Sequence, residues 1–177
     1  MYKAIAHLTD KEGSSRGAVF FSNLYGGGVQ VEFDLFGFKP RSIHAIHIHE
    51  FGDLLNGCAS LGGHYNPTRA KHGKHKGDLI KNFQTDMAGS FFYRYVDALD
   101  ISDLFGRSVV IHELPDDLGG ARYDSLSTRD LEFLSKERGY KLGPRRAMIA
   151  ELNSQSNITG NAGRRIACGI IGRRENA

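Results

Sequence analysis

Residues 44–50 read His-Ala-Ile-His-Ile-His-Glu, with isoleucine before each of the last two histidines. Side chains on a β-strand alternate between its two faces, so His47 and His49 point the same way, about 7 Å apart along the chain. Two imidazoles at that spacing can bind one metal ion, although such a pair alone is weak support for a metal site. His44 shares the opposite face with Ile46 and is predicted to be a buried core residue.

Other short runs rich in Val, Ile, Phe and Tyr surround this strand, and Gly, Ser and Asn separate them. Together with residues 42–49, the runs are 2–8, 17–22, 29–36, 89–97, 108–112 and 165–171. About eight strands with turns between them are typical of an antiparallel sandwich or barrel. The sequence therefore predicts an all-β fold and a single domain over residues 1–177.

Two long stretches interrupt the strand pattern, at about residues 50–82 and 116–163. We call them the metal loop and the enlarged loop. Inside the second, Ser127 can cap a short helix that Gly139 ends. Residues 145–152 predict one or two further helical turns.

The metal loop contains more side chains that can bind a metal. His64, His72, His75 and Asp78 follow one another within 15 residues, and His112 adds an imidazole from a distant strand. Nitrogen and oxygen donors of this kind suit Zn²⁺, and a set without sulfur favours copper or zinc. A solvated, cation-rich loop is the alternative interpretation, but it does not explain why these residues cluster after the histidine strand.

Composition excludes several other classes of protein. The net charge is +3, but the Lys and Arg residues form no dense basic stripe, so we expect no nucleic-acid partner. No run of about 18 apolar residues is present, so we expect no membrane span. The N-terminal residues lack the apolar core of a secretory signal, which predicts a cytoplasmic protein.

Cys58 and Cys168 are either two buried thiols or a disulfide, and spacing alone does not decide between them.

Five motifs resemble the copper/zinc superoxide dismutase family, in the same order over nearly the whole chain. They are HIHEFGD (47–53), GGHYNP (62–67), KHG…GDL (71–79), VIHELPDDLG (110–119) and GNAGRRIACGIIG (160–172). The resemblance implies an eight-stranded Greek-key β-sandwich or barrel of the immunoglobulin-like type. It also implies dismutation of superoxide to O₂ and hydrogen peroxide by a redox-cycling copper ion.

The resemblance assigns one copper and one zinc ion to each subunit. The implied copper ligands are His47, His49, His64 and His112, and the implied zinc ligands are His64, His72, His75 and Asp78. His64 then bridges the two ions and takes part in catalysis, and Arg165 draws in and holds the superoxide anion. Asp116 links a copper-binding and a zinc-binding histidine, and Cys58 pairs with Cys168 in a disulfide.

A homodimer is also implied by the resemblance. The implied interface residues are Phe51, Gly52, Phe105, Gly106, Ile170, Ile171 and Gly172, which are alternatively ordinary core and turn positions. Arg164 and Ile166 stand where some relatives carry prolines that are linked to needing a helper for metal loading. We therefore expect that a copper chaperone is dispensable.

The chain departs from the family pattern in two places. His72 and His75 are separated by only two residues, where the family has about eight, so the alternative is a copper-only site in which His75 does not reach the zinc ion. Glycines 73 and 77 permit the tight turns that would still bring both histidines to one ion. Second, about 40 residues between Gly119 and Thr159 replace a short charged loop. They are either a tolerated surface insertion or a segment packed over the copper channel or a neighbouring subunit.

Overall fold

A computed structural model describes residues 2–175 of the chain. The eight strands are β1 (Lys3–Thr9), β2 (Ser15–Asn23), β3 (Val29–Leu35), β4 (Ile43–His49), β5 (Lys81–Gln84), β6 (Phe91–Asp97), β7 (Ser108–His112) and β8 (Arg165–Arg173). The helices are α1 (Thr128–Glu137) and α2 (Arg145–Thr159), with short 3₁₀ helices at Gly57–Ser60, Lys76–Asp78 and Ile101–Asp103.

All the strands belong to one antiparallel sheet in the order β5-β4-β7-β8-β1-β2-β3-β6, which curls into a nearly closed barrel. Strands distant in sequence pair at three places, β4 with β7, β1 with β8 and β3 with β6. These crossovers give the Greek-key arrangement, so the predicted all-β fold is confirmed. They also place β4 and β7, the two strands that carry histidines, side by side.

The barrel interior is filled by the inward-facing side chains of the alternating strands. Phe21, Phe33, Ile46 and Ile48 are fully buried there. Burial of each such side chain contributes about 1.5–3 kcal/mol relative to its exposure. The core therefore holds the backbone of β4 rigidly, which is what a site on its other face requires.

Two elements differ from the sequence-based expectation. Strand β5 was not predicted, because it has only four residues and buries only Phe83. Helix α2 runs to Thr159, well beyond the turn or two predicted from residue 145. Its second half is rich in Asn, Ser and Thr, which are weak helix formers, and tertiary contacts of the buried Ser156 stabilise it.

The enlarged loop has a small apolar core of its own. Tyr123, Leu131, Met148 and Leu152 are buried together between α1 and α2. The predicted helix is confirmed: it begins at Thr128, and the Ser127 hydroxyl accepts the Asp130 N–H at 3.2 Å. Within residues 2–175, neither helix combines the length and hydropathy that crossing a membrane requires.

Candidate metal centre

The histidines of strand β4 lie on opposite faces of the strand, as the alternation of side chains predicts. His47 and His49 are buried on the face opposite to the core residues Ile46 and Ile48. His44 lies on the core side, where its Nδ1–H donates to the carbonyl oxygen of His112 at 2.9 Å. The interpretation of His44 as a satisfied core histidine is therefore correct.

Four buried histidines converge on one point beside this strand, and we call them the four-histidine group. One ring nitrogen from each lies within 4.8 Å of the others. The members are His47, His49, His64 and His112. Pairing of β4 with β7 brings in His112, and a β-bridge between His49 and His64 brings in the metal loop.

A second group of side chains shares His64 with the first, and we call it the aspartate group. Its donor atoms also lie within 4.8 Å of one another. The members are His64, His72, His75 and Asp78. Despite the short spacing, His75 reaches the group, because Gly73 adopts a left-handed φ of +81° and turns the chain back. The His75 N–H also donates to Asp78 Oδ2 at 2.8 Å.

The hydrogen bonds of the rings leave particular nitrogens free to bind a metal. His49 and His112 each donate Nδ1–H to a carbonyl oxygen, of Gly62 and Gly163 respectively. His47 and His72 each donate Nε2–H to Asp116. Each of these four rings is thus left with its other nitrogen as a lone-pair donor.

His64 differs from the other rings. Among the described residues, neither its Nδ1 nor its Nε2 makes a hydrogen bond, although both are buried. The free Nδ1 atoms of His47, His72 and His75 and Oδ1 of Asp78 are likewise buried without a hydrogen bond. Asp78 Oδ1 lies 3.5 Å from His64 Nδ1 and 3.2 Å from His75 Nδ1, close enough for all three atoms to face one ion. Buried polar atoms are normally paired, so this concentration of unpaired donors fits two metal ions that share His64.

Burial keeps three members of the four-histidine group, His47, His49 and His112, in the neutral form that binds metals. Burial lowers the pKa of His47 to about 4. Burial likewise holds the pKa values of His49 and His112 well below the usual range. These imidazoles are therefore neutral at pH 7, and their free nitrogens are not blocked by protons.

Asp116 connects the two groups. Its carboxylate accepts His47 Nε2–H and His72 Nε2–H, each at 2.8 Å. Burial alone would raise the pKa of Asp116, but these two hydrogen bonds lower it below the usual range, so the group is ionised. Gly160 lies directly against this contact, since a Cβ atom there would be 1.8 Å from Asp116 Oδ1.

The neighbouring Asp117 anchors the enlarged loop, a role that the sequence pattern did not predict. Its carboxylate accepts hydrogen bonds from Tyr123 Oη (2.7 Å), Ser156 Oγ (2.9 Å) and Asn161 Nδ2 (2.9 Å). Asp116 thus holds two of the histidines, His47 and His72, and the adjacent Asp117 holds the enlarged loop. The Asp-Asp pair was the only signal for this in the sequence, and the partners of Asp117 are 6 to 44 residues away.

A cavity of about 820 Å³ opens over both groups. His49, His64, His72, His75 and His112 line it on the barrel side. The enlarged loop lines it on the other side with residues 138–140 at the end of α1 and with residues 155 and 157–159 at the end of α2. The insertion is therefore part of the cavity wall, which favours the interpretation that it packs over the site rather than that of a tolerated surface insertion.

Arg165 also lines this cavity. Its guanidinium donates to the carbonyl oxygens of Cys58 (2.7 Å) and Gly62 (2.6 Å) and has no carboxylate partner within the described part of the chain. Gly62 O accepts His49 Nδ1–H as well, so Arg165 lies next to the four-histidine group. Its positive charge is available to an anion in the cavity.

The disulfide between Cys58 and Cys168 is present, which confirms the pairing implied by the resemblance. It ties the 3₁₀ helix Gly57–Ser60 to β8. Because Arg165 lies on β8 and its hydrogen bonds go to Cys58 and Gly62, the disulfide also fixes the surroundings of Arg165.

Comparisons with known proteins agree with this geometry. The sequence profile of the family "Copper/zinc superoxide dismutase (SODC)" matches residues 15–171. The human "Copper chaperone for superoxide dismutase" is 35% identical over 168 residues, which cover 91% of this chain and 50% of the relative. The Drosophila melanogaster "Extracellular superoxide dismutase [Cu-Zn]" is 35% identical over 185 residues, covering 96% of this chain and 84% of the relative.

The crystal structure of a protein described as "the clock protein EA4" is similar as well. The TM-score is 0.73 at 32% identity, with 96% of this chain and 93% of that chain covered. The chain belongs to the copper/zinc superoxide dismutase family. It spans half the length of the human chaperone and most of the length of the fly dismutase.

Proposed function

We propose that this protein dismutates superoxide, with copper in the four-histidine group and zinc in the aspartate group. The observation that carries the proposal is the ring of His64. It is buried and belongs to both groups, and neither of its nitrogens makes a hydrogen bond within residues 2–175, although Nδ1 lies 3.5 Å from Asp78 Oδ1. A histidine that is to bridge two metal ions needs both nitrogens free.

The donor sets support this assignment of metals. Four imidazoles suit copper, whereas three imidazoles and a carboxylate suit a closed structural zinc site. When bound, copper would supply a one-electron redox couple, and zinc would supply a fixed positive charge next to His64. The overall reaction converts two superoxide anions and two protons into O₂ and hydrogen peroxide.

The protein's own residues would bind the anion and supply a proton. Arg165 attracts superoxide into the cavity and holds it beside His49, because its charge has no carboxylate partner in the described chain. The nitrogen of His64 that faces the four-histidine group has one lone pair, so it would take up a proton only while it does not bind a metal. It would then give that proton to the departing peroxide, and water would supply the second proton. Asp116 keeps His47 and His72 in one orientation while this happens.

A second candidate function is metal binding without turnover, which the similarity to a human copper chaperone favours. Two features support the enzyme instead. An open cavity reaches the histidines, and Arg165 presents an uncompensated charge in it. A protein that only stores or passes on a metal has no need to bind an anion there.

Metal analysis combined with a superoxide-consumption assay tests the proposal. We expect about one copper and one zinc per chain, and consumption that slows as ionic strength rises because salt screens Arg165. Full copper and zinc occupancy without consumption would favour the second candidate. The same assay repeated in chaperone-deficient cells supplied with copper tests whether loading proceeds unaided.

Replacement of Asp116 by asparagine is expected to weaken zinc binding by about 10- to 100-fold. An amide replaces one of the two acceptor oxygens with an NH₂ donor, which would face the N–H of His72 or His47 and lose a hydrogen bond, so the orientation of these rings is loosened. Competition with a zinc chelator measures the affinity. Asp86→Asn is the matched control, because that exposed carboxylate accepts only from its own turn. Equal zinc affinity in the two variants would contradict the role given to Asp116.

The dimer and the cytoplasmic location stay predictions. Three of the implied interface residues lie together, since a Cβ atom on Gly52 would lie 2.5 Å from Gly106 O and 3.1 Å from Ile170 Cγ2. Ile171 is instead buried in the barrel core, as the alternative interpretation of these positions has it. Phe51 and Ile170 are exposed. The fly relative is named as extracellular, so location within the cell has to be measured by fractionation.

A further inference from the structure

The cations that line the cavity are not equivalent. They are Lys71, Arg138, Arg164 and Arg165, and the acidic lining residue is Glu50. Arg164 forms a two-pronged pair with Glu113, at 2.8 and 2.7 Å, which offsets its charge. Lys71 is exposed to solvent. Two half-buried guanidinium groups therefore remain, those of Arg138 and Arg165, and no carboxylate of residues 2–175 pairs with either.

Arg138 belongs to the enlarged loop and ends helix α1. Its Nε is buried, and no described residue accepts a hydrogen bond from it. Most buried donors in folded proteins are paired, and an unpaired one calls for a missing partner. A cation is favourable at a helix C-terminus, which explains why an arginine is tolerated here. This interaction does not, however, give Nε a hydrogen-bond acceptor.

The backbone around Arg138 is held in place on both sides. The Gly139 N–H donates to Lys136 O at 3.1 Å, and the Tyr140 N–H donates to Ser135 O at 2.8 Å, which closes the helix end. Tyr140 Oη then donates to Asn161 Oδ1 at 2.9 Å, which attaches this turn to the segment that leads into β8. The backbone of Arg138 is thereby fixed at the wall of the cavity that the histidines also line.

We propose that Arg138 is a second anion-positioning residue, which the enlarged loop adds to the cavity. Its ligand class is small monovalent anions, and the identification of superoxide as the natural one rests on the proposed function. Arg165 holds the anion beside His49, while Arg138 raises the anion concentration within the cavity from the opposite wall. Two like charges in a cleft with protein walls focus the field and speed the arrival of an anion.

Three variants of the metal-loaded protein test this proposal: Arg138→Gln, Arg138→Lys and the control Arg129→Gln. Arg129 is exposed on the same helix and does not line the cavity. Azide binding is measured by titration calorimetry at ionic strengths of about 0.01 and 0.15 M, where the Debye lengths are about 30 and 8 Å. The superoxide-consumption rate is measured at the same two ionic strengths.

We expect Arg138→Gln to weaken azide binding by about 3- to 10-fold at the lower ionic strength, with a smaller loss at the higher one. Arg138→Lys should restore most of the affinity, and Arg129→Gln should match the wild type. Equal azide affinity in Arg138→Gln and Arg129→Gln would overturn the proposal. A loss that is the same at both ionic strengths would also overturn it, since a distorted cavity and not a lost charge would then be the cause.

The failure of this proposal is distinguishable from the failure of the proposed function. If the protein consumes no superoxide but Arg138→Gln still lowers its affinity for azide, the anion site is supported and the proposed dismutase function is wrong. If all three variants consume superoxide with the same salt dependence, the dismutase function is supported and the role proposed for Arg138 is wrong.

Discussion

Replacement of His64 by alanine is expected to slow superoxide consumption by about 10²- to 10⁴-fold, the range typical for loss of a general acid or base. The substitution removes one donor from each metal-binding group at once, because His64 belongs to both. It also removes the group that carries a proton at the four-histidine group. Stopped-flow measurement of superoxide decay, together with the metal content of the variant, checks the prediction.

His7→Gln is the matched control for this experiment. His7 is an exposed histidine on β1 whose Nε2 lies 2.9 Å from Ser15 Oγ, outside both groups. We expect wild-type decay and metal content for it. If His64→Ala retained both metals and a rate within a few-fold of wild type, the bridging role of His64 would be wrong.

Loss of the disulfide is expected to lower the free energy of unfolding by about 4–5 kcal/mol in the chain-entropy model. Cys58 and Cys168 are 110 residues apart, so the bond restricts a long loop of the unfolded chain. The Cys58→Ser/Cys168→Ser double variant should also bind azide less tightly, because Arg165 donates to the carbonyl oxygen of Cys58. Equilibrium unfolding in urea measures the first effect, and calorimetry measures the second.

Reduced wild-type protein is the control for the disulfide prediction. It should unfold at the same urea concentration as the double variant, because both lack the cross-link and differ only in sulfur against oxygen at two positions. Unfolding of the double variant at the midpoint of oxidised wild type would show that the cross-link contributes nothing to stability.

Much of the fold was predictable because its signals are local. Alternation along residues 44–50 assigned His47 and His49 to one face and His44 to the other, and the structure agrees. Ser127 marked the start of α1 through its capping hydroxyl. Each of these features depends on neighbours only a few residues away, whose geometry strand and helix periods dictate.

Other features were missed because their cause is distant in the chain. Strand β5 exists only through its pairing with β4, and the end of α2 is stabilised by Asp117, 39 residues from Ser156. The intrinsic strand preference of the first segment and the intrinsic helix preference of the second are weak, so packing decides their structure.

Local patterns in the chain were enough to predict which side chains can bind a metal, on which faces of their strand His47 and His49 lie, and which family the protein resembles. They could not predict that His75 reaches the aspartate group across a shortened turn, or that the enlarged loop lines the cavity with Arg138. The physical reason is that local periodicity orients a side chain relative to its own strand. Contact between segments distant in the chain depends on strand register, on turns such as that at Gly73, and on anchors such as Asp117.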